Sequence, residues 1–209
     1  MKENACTSKL DFLFRFVPPT IRQQLLLDDE AFYSTTDQMT AEKITQDIIR
    51  YVPRTETITD ATACIGGSAY SFSQVFQHII AIELDQTRFL HMVHNLRLLQ
   101  ALQQPNITCI HGDALHECQR QNQAAIFIDP PWGGPDYKNK PKVSLYLSGV
   151  ALSDVCRTLA PKTQFIILKV PTNFDEESFI HNTLDVLNLI HKNISLRKMH
   201  LLILKCIHE

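Results

Sequence analysis

The chain has 209 residues, 44% hydrophobic and 20% charged, enough for one folded α/β domain with a full core and unlike a disordered tail. Its net charge of −2 and pI near 6.5 argue against a nonspecific binder of long nucleic acid, which would be more basic. No uninterrupted apolar run is long enough for a bilayer, no secretory signal opens the chain, and six cysteines without a CxxC pair predict reduced thiols, not disulfides or zinc.

Residues 1–36 read as an N-terminal helical extension and 37–209 as the main domain. In the extension LDFLFRFV is apolar, Pro18-Pro19 breaks it, and a short helix is expected from Thr20. A cover over one edge of the core is the plain role for it. Thr40 is expected to cap a helix that buries Ile44, Ile48 and Ile49 and runs to Tyr51. Thr57 to Ala63 is strand-like and breaks into Cys64-Ile65-Gly66-Gly67, with a helix from Ser68 to Phe76. Strand, glycine turn and helix open a Rossmann-like nucleotide site, although GxGxxG is absent, which argues against a dinucleotide. His78 to Leu84 is the second strand. Glu83 at its end is placed to accept ribose hydroxyls, the alternative being a strand-end charge in solvent. Asp85 is a candidate cap for a helix from Gln86 to Gln100, whose core positions read as Phe89, Val93, Leu96 and Leu99. His91 and His94 sit three apart on that helix and read as surface histidines, with no metal.

Asn106 to Ile110 is expected as the third strand, with Asp113 just beyond it, where it can cap a short helix from Ala114 to Gln121. Ala125 to Ile128 is a short apolar run that suits a buried strand, and it stops abruptly at Asp129-Pro130-Pro131-Trp132-Gly133-Gly134-Pro135. Loops at the C-terminal ends of such strands are where α/β sheets hold ligands. The prolines cannot donate backbone hydrogen bonds and have fixed φ, so their carbonyls and the Asp129 carboxylate remain as acceptors beside the flat indole of Trp132. That set suits a planar ring bearing an exocyclic NH2 group and the transfer of a methyl group to its nitrogen. The plain alternative is a proline-rich turn that closes the strand. The lysines Lys138, Lys140 and Lys142 follow, as a solvated loop or as reach toward phosphates. Leu145 to Leu159 reads as a helix, Gln164 to Val170 as a strand, Glu176 to Leu184 as a helix, and Val186 to Ile194 with Met199 to Ile207 as a C-terminal hairpin.

DPPW resembles the [DNS]PP[YFW] motif of amino-group methyltransferases, and DPPWGGPDY is similar to the Ser-Pro-Pro-Trp-Gly-Gly-Pro-(Asp or Glu)-Tyr of the trimethylguanosine synthases. Asp129 stands where that family most often has Ser. DATACIGG (Asp60 to Gly67) resembles the methyltransferase pattern Asp-x-x-x-Gly-x-Gly-Gly, with Cys64 read as filling a variable position. Leu27-Asp28-x-Glu30-x-Phe32-x-Ser34 resembles the segment just before the family's catalytic core, Thr40-Ala41-Glu42-Lys43-Ile44 resembles its Thr-Pro-Glu-Lys-Ile, and Pro171-Thr172-Asn173-Phe174-Asp175 its Pro-Arg-Asn-x-Asp, with Thr172 in place of Arg, a phosphate clamp for which Lys169 or the lysine loop would substitute. The resemblance implies a class I methyltransferase: a Rossmann-like, mostly parallel seven-stranded sheet with helices on both faces. It implies S-adenosyl-L-methionine as cofactor, held by Thr40, Asp60, Ala61, Cys64, Gly66, Glu83 and Asp113. It implies a catalytic set of Asp129, Pro130 and Trp132, with Trp132, Pro135, Lys138 and Asn173 toward the substrate. The implied reaction is methylation of N2 of 7-methylguanosine at the capped 5′ end of RNA, in nucleus or cytoplasm, without a membrane or metal partner. The extension would then also close over cofactor and substrate. The alternatives are an N6-adenine or guanine-N2 methyltransferase on other RNA or DNA, and a catalytically inactive cap-binding module.

Overall fold

The structure, a computed structural model, describes residues 9–100 and 106–208, and of Pro135 the backbone only. The first eight residues of the expected extension lie outside the described residues. The main strands are β1 (Thr57–Asp60), β2 (His78–Glu83), β3 (Ile107–His111), β4 (Ala125–Ile128), β7 (Phe165–Pro171), β8 (Leu187–Asn193) and β9 (Met199–Cys206), and a small separate hairpin pairs β5 (Tyr146–Leu147) with β6 (Val150–Ala151). The seven main strands form a sheet in the order β3-β2-β1-β4-β7-β9-β8. The pairs β1–β2, β2–β3 and β4–β7 are parallel, and β9 runs antiparallel to both β7 and β8. The mostly parallel seven-stranded sheet and the C-terminal hairpin expected from the sequence are both present. The chain divides into two units, residues 1–114 and 115–209.

In the first unit, β1 and β2 are almost wholly buried, as parallel strands covered on both faces must be. Helix α1 (Gln38–Ile48) turns Ala41, Ile44, Thr45 and Ile48 inward. It meets helix α2 (Gly67–Ser73), all of it buried, through a 2.8 Å hydrogen bond between the Thr45 and Ser71 hydroxyls. Two expectations change here. The helix expected from Thr20 shrinks to Pro19–Arg22, and a separate turn of helix, Ala31–Ser34, follows. On helix α3 (Gln86–Gln100) the buried face is Met92, Asn95, Leu96 and Leu99, while Phe89 and Val93 are half-buried. The shift follows Asn95, whose amide accepts from Leu26 N at 2.7 Å and donates to the carbonyls of Leu26 and Ile65. A buried amide satisfied on both sides costs little to keep in a core, and this one ties the extension to α3. Asp85 does cap α3, accepting from Arg88 N at 2.9 Å.

Beyond β3, a short helix α4 (Ala114–Glu117) continues as a 3-10 turn. In the second unit, β4 is fully buried and pairs with β7 from Ala125 opposite Phe165 to Ile128 opposite Leu168. Leu145 to Leu159 is not one helix. Ser148 at φ 51° and Gly149 at φ 79° form a tight turn with both central residues left-handed, the geometry that two-residue hairpins favour. It joins β5 to β6, and helix α5 (Leu152–Leu159) starts only afterwards. Helix α6 (Glu176–His181) is capped by the Asp175 carboxylate.

Candidate active site

In the first unit, the C-terminal ends of three adjacent parallel strands bring Asp60, Glu83 and Asp113 to one edge of the sheet. Asp60 closes β1, fully buried, and accepts from Thr62 N at 3.3 Å. The chain then turns through Ala61 and Ala63, both buried, and Gly66 N bonds back to the Ala63 carbonyl at 2.8 Å. Cys64 lies in the left-handed region at φ 52°. Counted along Asp-x-x-x-Gly-x-Gly-Gly, Cys64 falls on the first glycine, so reading it at a variable position is corrected: the backbone there has the conformation that glycine adopts without a Cβ penalty. Gly66 is more constrained, at φ 95° with a side chain of Leu96 only 2.9 Å from where a Cβ would sit.

Glu83 braces this turn. Its two carboxylate oxygens accept from Cys64 N at 2.9 Å and Asp85 N at 2.8 Å. Arg88 stands 3.5 Å from it and also reaches Asp28 of the extension at 3.6 Å. Glu83 is therefore no solvent-facing strand end; it is 8% exposed. The extension covers the same turn, with the hydroxyls of Ser34 and Thr35 each 3.7 Å from Cys64 Sγ. Burial pushes that thiol up to about 11. Asp113 stands directly before α4, and Gly112 N donates to the Glu83 carbonyl at 3.1 Å. Beside it the His111 and Phe89 rings stack at 5.1 Å. Thr40 is not the helix cap. Asp37 is, accepting from Thr40 N at 3.2 Å and from the Thr40 hydroxyl at 2.7 Å. An aspartate three residues upstream outcompetes threonine because it offers two acceptor oxygens. Arg88 and Asn95 belong to no motif; their signal in the sequence is polarity within an otherwise amphipathic stretch.

In the second unit the loop after β4 is held from below. Lys169, in the middle of β7 and 4% exposed, donates to Asp129 Oδ2. Its ammonium also lies 5.3 Å over the Trp132 ring. Burial pushes the Asp129 carboxyl above the usual carboxylate range, and Lys169 pulls against it. Pro130 is buried behind them. Tyr137 meets Trp132 edge-on, 5.1 Å between centroids at 80°, and among the described residues no acceptor meets the buried Trp132 Nε1. The loop is therefore an acceptor edge, an aromatic plane and a cation locked together. Lys169, expected as a substitute for the phosphate clamp absent at Thr172, pairs with Asp129 instead: a lysine inside QFIILKV, a run apolar enough to be buried on both faces, needs a counter-charge.

Of the residues assigned to the substrate, Asn173 donates both amide hydrogens to the carbonyls of Tyr137 at 2.8 Å and Lys140 at 2.7 Å, and its Oδ1 is buried without a donor among the described residues. Lys138 lies 5.8 Å over the Tyr137 ring. Lys142 is engaged by Asp175 at 3.1 Å and Glu177 at 3.3 Å. The Pro135 side chain lies outside the described residues. Among the described residues no group of His, Cys, Asp or Glu could hold a metal, and five cysteines are free thiols. No helix among them is long and apolar enough to cross a membrane.

A Rossmann-like sheet with an antiparallel β9 and an Asp-Pro-Pro-Trp loop at the end of β4 defines the class I methyltransferase fold. Solved structures agree. A protein of Porphyromonas gingivalis W83, provisionally assigned as a methyltransferase, superposes with a TM-score of 0.71 at 15% identity over 97% of this chain, which spans about half of that protein (49%). An rRNA methylase from Streptococcus thermophilus gives a TM-score of 0.52 at 9% identity, covering 81% of this chain and 95% of that one. Residues 55–201 match the RNA cap guanine-N2 methyltransferase family, and the chain belongs to that family. Similar proteins include the trimethylguanosine synthase of Schizosaccharomyces pombe, 26% identical over 175 residues (78% of this chain, 72% of that protein). Another is protein L320 of Acanthamoeba polyphaga mimivirus, 26% identical over 194 residues (80% and 75%).

Proposed function

We propose that this chain transfers a methyl group from S-adenosyl-L-methionine to the exocyclic N2 amine of 7-methylguanosine at the 5′ cap of RNA. The observation that carries the reading is the braced Asp129-Pro130-Pro131-Trp132 loop, an acceptor edge against an aromatic plane in a chain of this family. The first unit suits the cofactor. Each Glu83 oxygen already accepts one backbone N–H and keeps a second lone pair for a ribose hydroxyl. The buried Asp60 and the position of Asp113 beyond β3 fit an amino-acid end and an adenine edge. Bound there, the cofactor supplies a methyl carbon made electrophilic by its sulfonium.

The protein's own part is positioning and exclusion of water. Trp132 stacks on 7-methylguanine, whose positive charge adds a cation–π attraction of about 1–2 kcal/mol over plain guanine. Asp129 and the Pro130 carbonyl accept the N2 hydrogens and aim the nitrogen lone pair. The nitrogen becomes acidic only once it is methylated, so its proton leaves to solvent and no strong base is needed. Residues 9–36 of the extension serve as a cover over the cofactor turn, and the substrate places the activity in nucleus or cytoplasm.

The test is methyl transfer from labelled cofactor to m7GTP and to GTP. Transfer to the first alone is expected. Trp132→Ala should reduce turnover at least 100-fold with cofactor binding intact by calorimetry, and loss of cofactor binding in that variant would count against these roles; a parent protein that binds no cofactor would be the inactive cap-binding module. One observation favours a second reading. Asp129 stands where trimethylguanosine synthases most often have Ser, and its carboxylate is an acceptor suited to the N6 amine of adenine, so adenine-containing RNA is the third acceptor to offer.

A further inference from the structure

We infer that Lys169 is a positioning residue for the acceptor base, clamping the Asp129 carboxylate and one face of Trp132 so that the base edge and the base plane are fixed together. The turnover consequences rest on the reading above; the clamp itself does not.

The argument begins with burial. A lysine 4% exposed in the middle of β7 is tolerated only when its charge is paired. The pairing strand fixes its place. With Ile128 opposite Leu168, the next residue on each strand is Asp129 and Lys169, so the ion pair extends the β4–β7 ladder by one step. The same ammonium sits 5.3 Å over the indole. A ring face occupied by a cation is closed to a base, which leaves the opposite face of Trp132 for stacking. The Tyr137 edge limits rotation of the indole. One side chain thus decides the ionisation and orientation of the acceptor and the side from which the base enters.

Lys169 acts through these two groups, so the test must separate clamping from packing. Lys169 on β7 faces the Asp129 carboxylate, and the Tyr137 phenol lies against the Trp132 ring. Trp132 is the only tryptophan in the chain, so intrinsic fluorescence reports on this loop alone. In ligand-free full-length protein the emission of Trp132 should step on the acid side as Asp129 takes up its proton and the clamp loosens. Asp129→Asn and Lys169→Met should each abolish that step. In methyl transfer, Lys169→Met should lower kcat at least 30-fold, with cofactor affinity within twofold of the parent. Its acid limb should move to higher pH, because Asp129 loses the cation that keeps it ionised. Lys169→Arg should recover part of the loss and restore the fluorescence step.

A step that persists unchanged in Lys169→Met overturns the clamp. So does a variant with kcat and pH profile within threefold of the parent. If the parent transfers to neither m7GTP nor GTP while the step still depends on Lys169, the cap reading fails and the clamp stands. Should Lys169→Met not fold, Lys169→Arg with the step retained and turnover partly reduced supports the clamp, and an abolished step with intact turnover refutes its role in positioning.

Discussion

At the scale of single residues, the cofactor turn depends on two backbone conformations that ordinary side chains avoid. Gly66→Ala combines φ 95° with a Cβ against Leu96, so it should cost about 2 kcal/mol. Thermal unfolding should show this as a Tm lowered by roughly 4–8 °C for a chain of this size. Cys64 already tolerates the left-handed region, and its thiol, raised to about 11 by burial, is almost wholly protonated at pH 8. Iodoacetamide should therefore leave Cys64 unmodified in the native protein and label it after unfolding in urea, read by peptide mass spectrometry. Labelling of native Cys64 would mean that the turn opens. Asp60, Glu83 and the Asp129-to-Trp132 loop were legible because each is a chemically distinctive residue at a strand end, where the pattern of apolar residues changes abruptly. The pairing of Lys169 with Asp129, the Asn95 tie to Leu26 and the reach of Arg88 to Asp28 were not, because each depends on a partner distant in sequence that periodicity cannot supply.

At the scale of elements, strands announced themselves by apolar runs, and the misread stretches were those where two periods overlap. Leu145 to Leu159 carries leucine and valine at spacings that fit a helix, so the Ser148-Gly149 turn was lost in it. Its left-handed pair makes a direct prediction: Ser148→Asn, which fits the first position of such a turn better, should raise stability by about 0.5 kcal/mol, while Gly149→Val should lower Tm. Chemical denaturation at constant m-value measures both. The loop after Trp132 is clipped to the segment after β7 by the Asn173 amide. Asn173→Ala should speed amide hydrogen exchange between residues 137 and 143 at least tenfold, with protection in β4 unchanged; unchanged exchange in the loop would show that the clip is not what orders it.

At the scale of the whole molecule, a net charge of −2 limits how much RNA body this chain can grip. Lys142 is engaged internally by two acids, which leaves Lys138 and Lys140 exposed in that loop. If recognition is confined to the cap, affinity for capped RNA should fall less than tenfold between 50 and 200 mM salt, far below the ~10³-fold loss of a protein making six or more phosphate contacts. Fluorescence quenching of Trp132 by m7GTP and by a capped oligonucleotide gives both values. The Rossmann-like opening was readable from the strand, glycine turn and helix at Thr57 to Phe76, and the seven-stranded sheet from the resemblance of Asp60 to Gly67 and Asp129 to Tyr137; the order of the strands was not, because it rests on pairings between segments distant in the chain.

The Asp129–Lys169 pair also has a history written into it. Either residue alone is an uncompensated charge in a buried place, which costs about 3–5 kcal/mol, a large part of what keeps a domain folded. A lineage with serine at position 129 has no route to this arrangement through one substitution at a time unless a transient partner shelters the first charge. Among homologues, acid at 129 and base at 169 should therefore be inherited as a couple, gained together and lost together. A descendant carrying only one of them marks either a compensating change nearby or a protein on its way to losing the reaction.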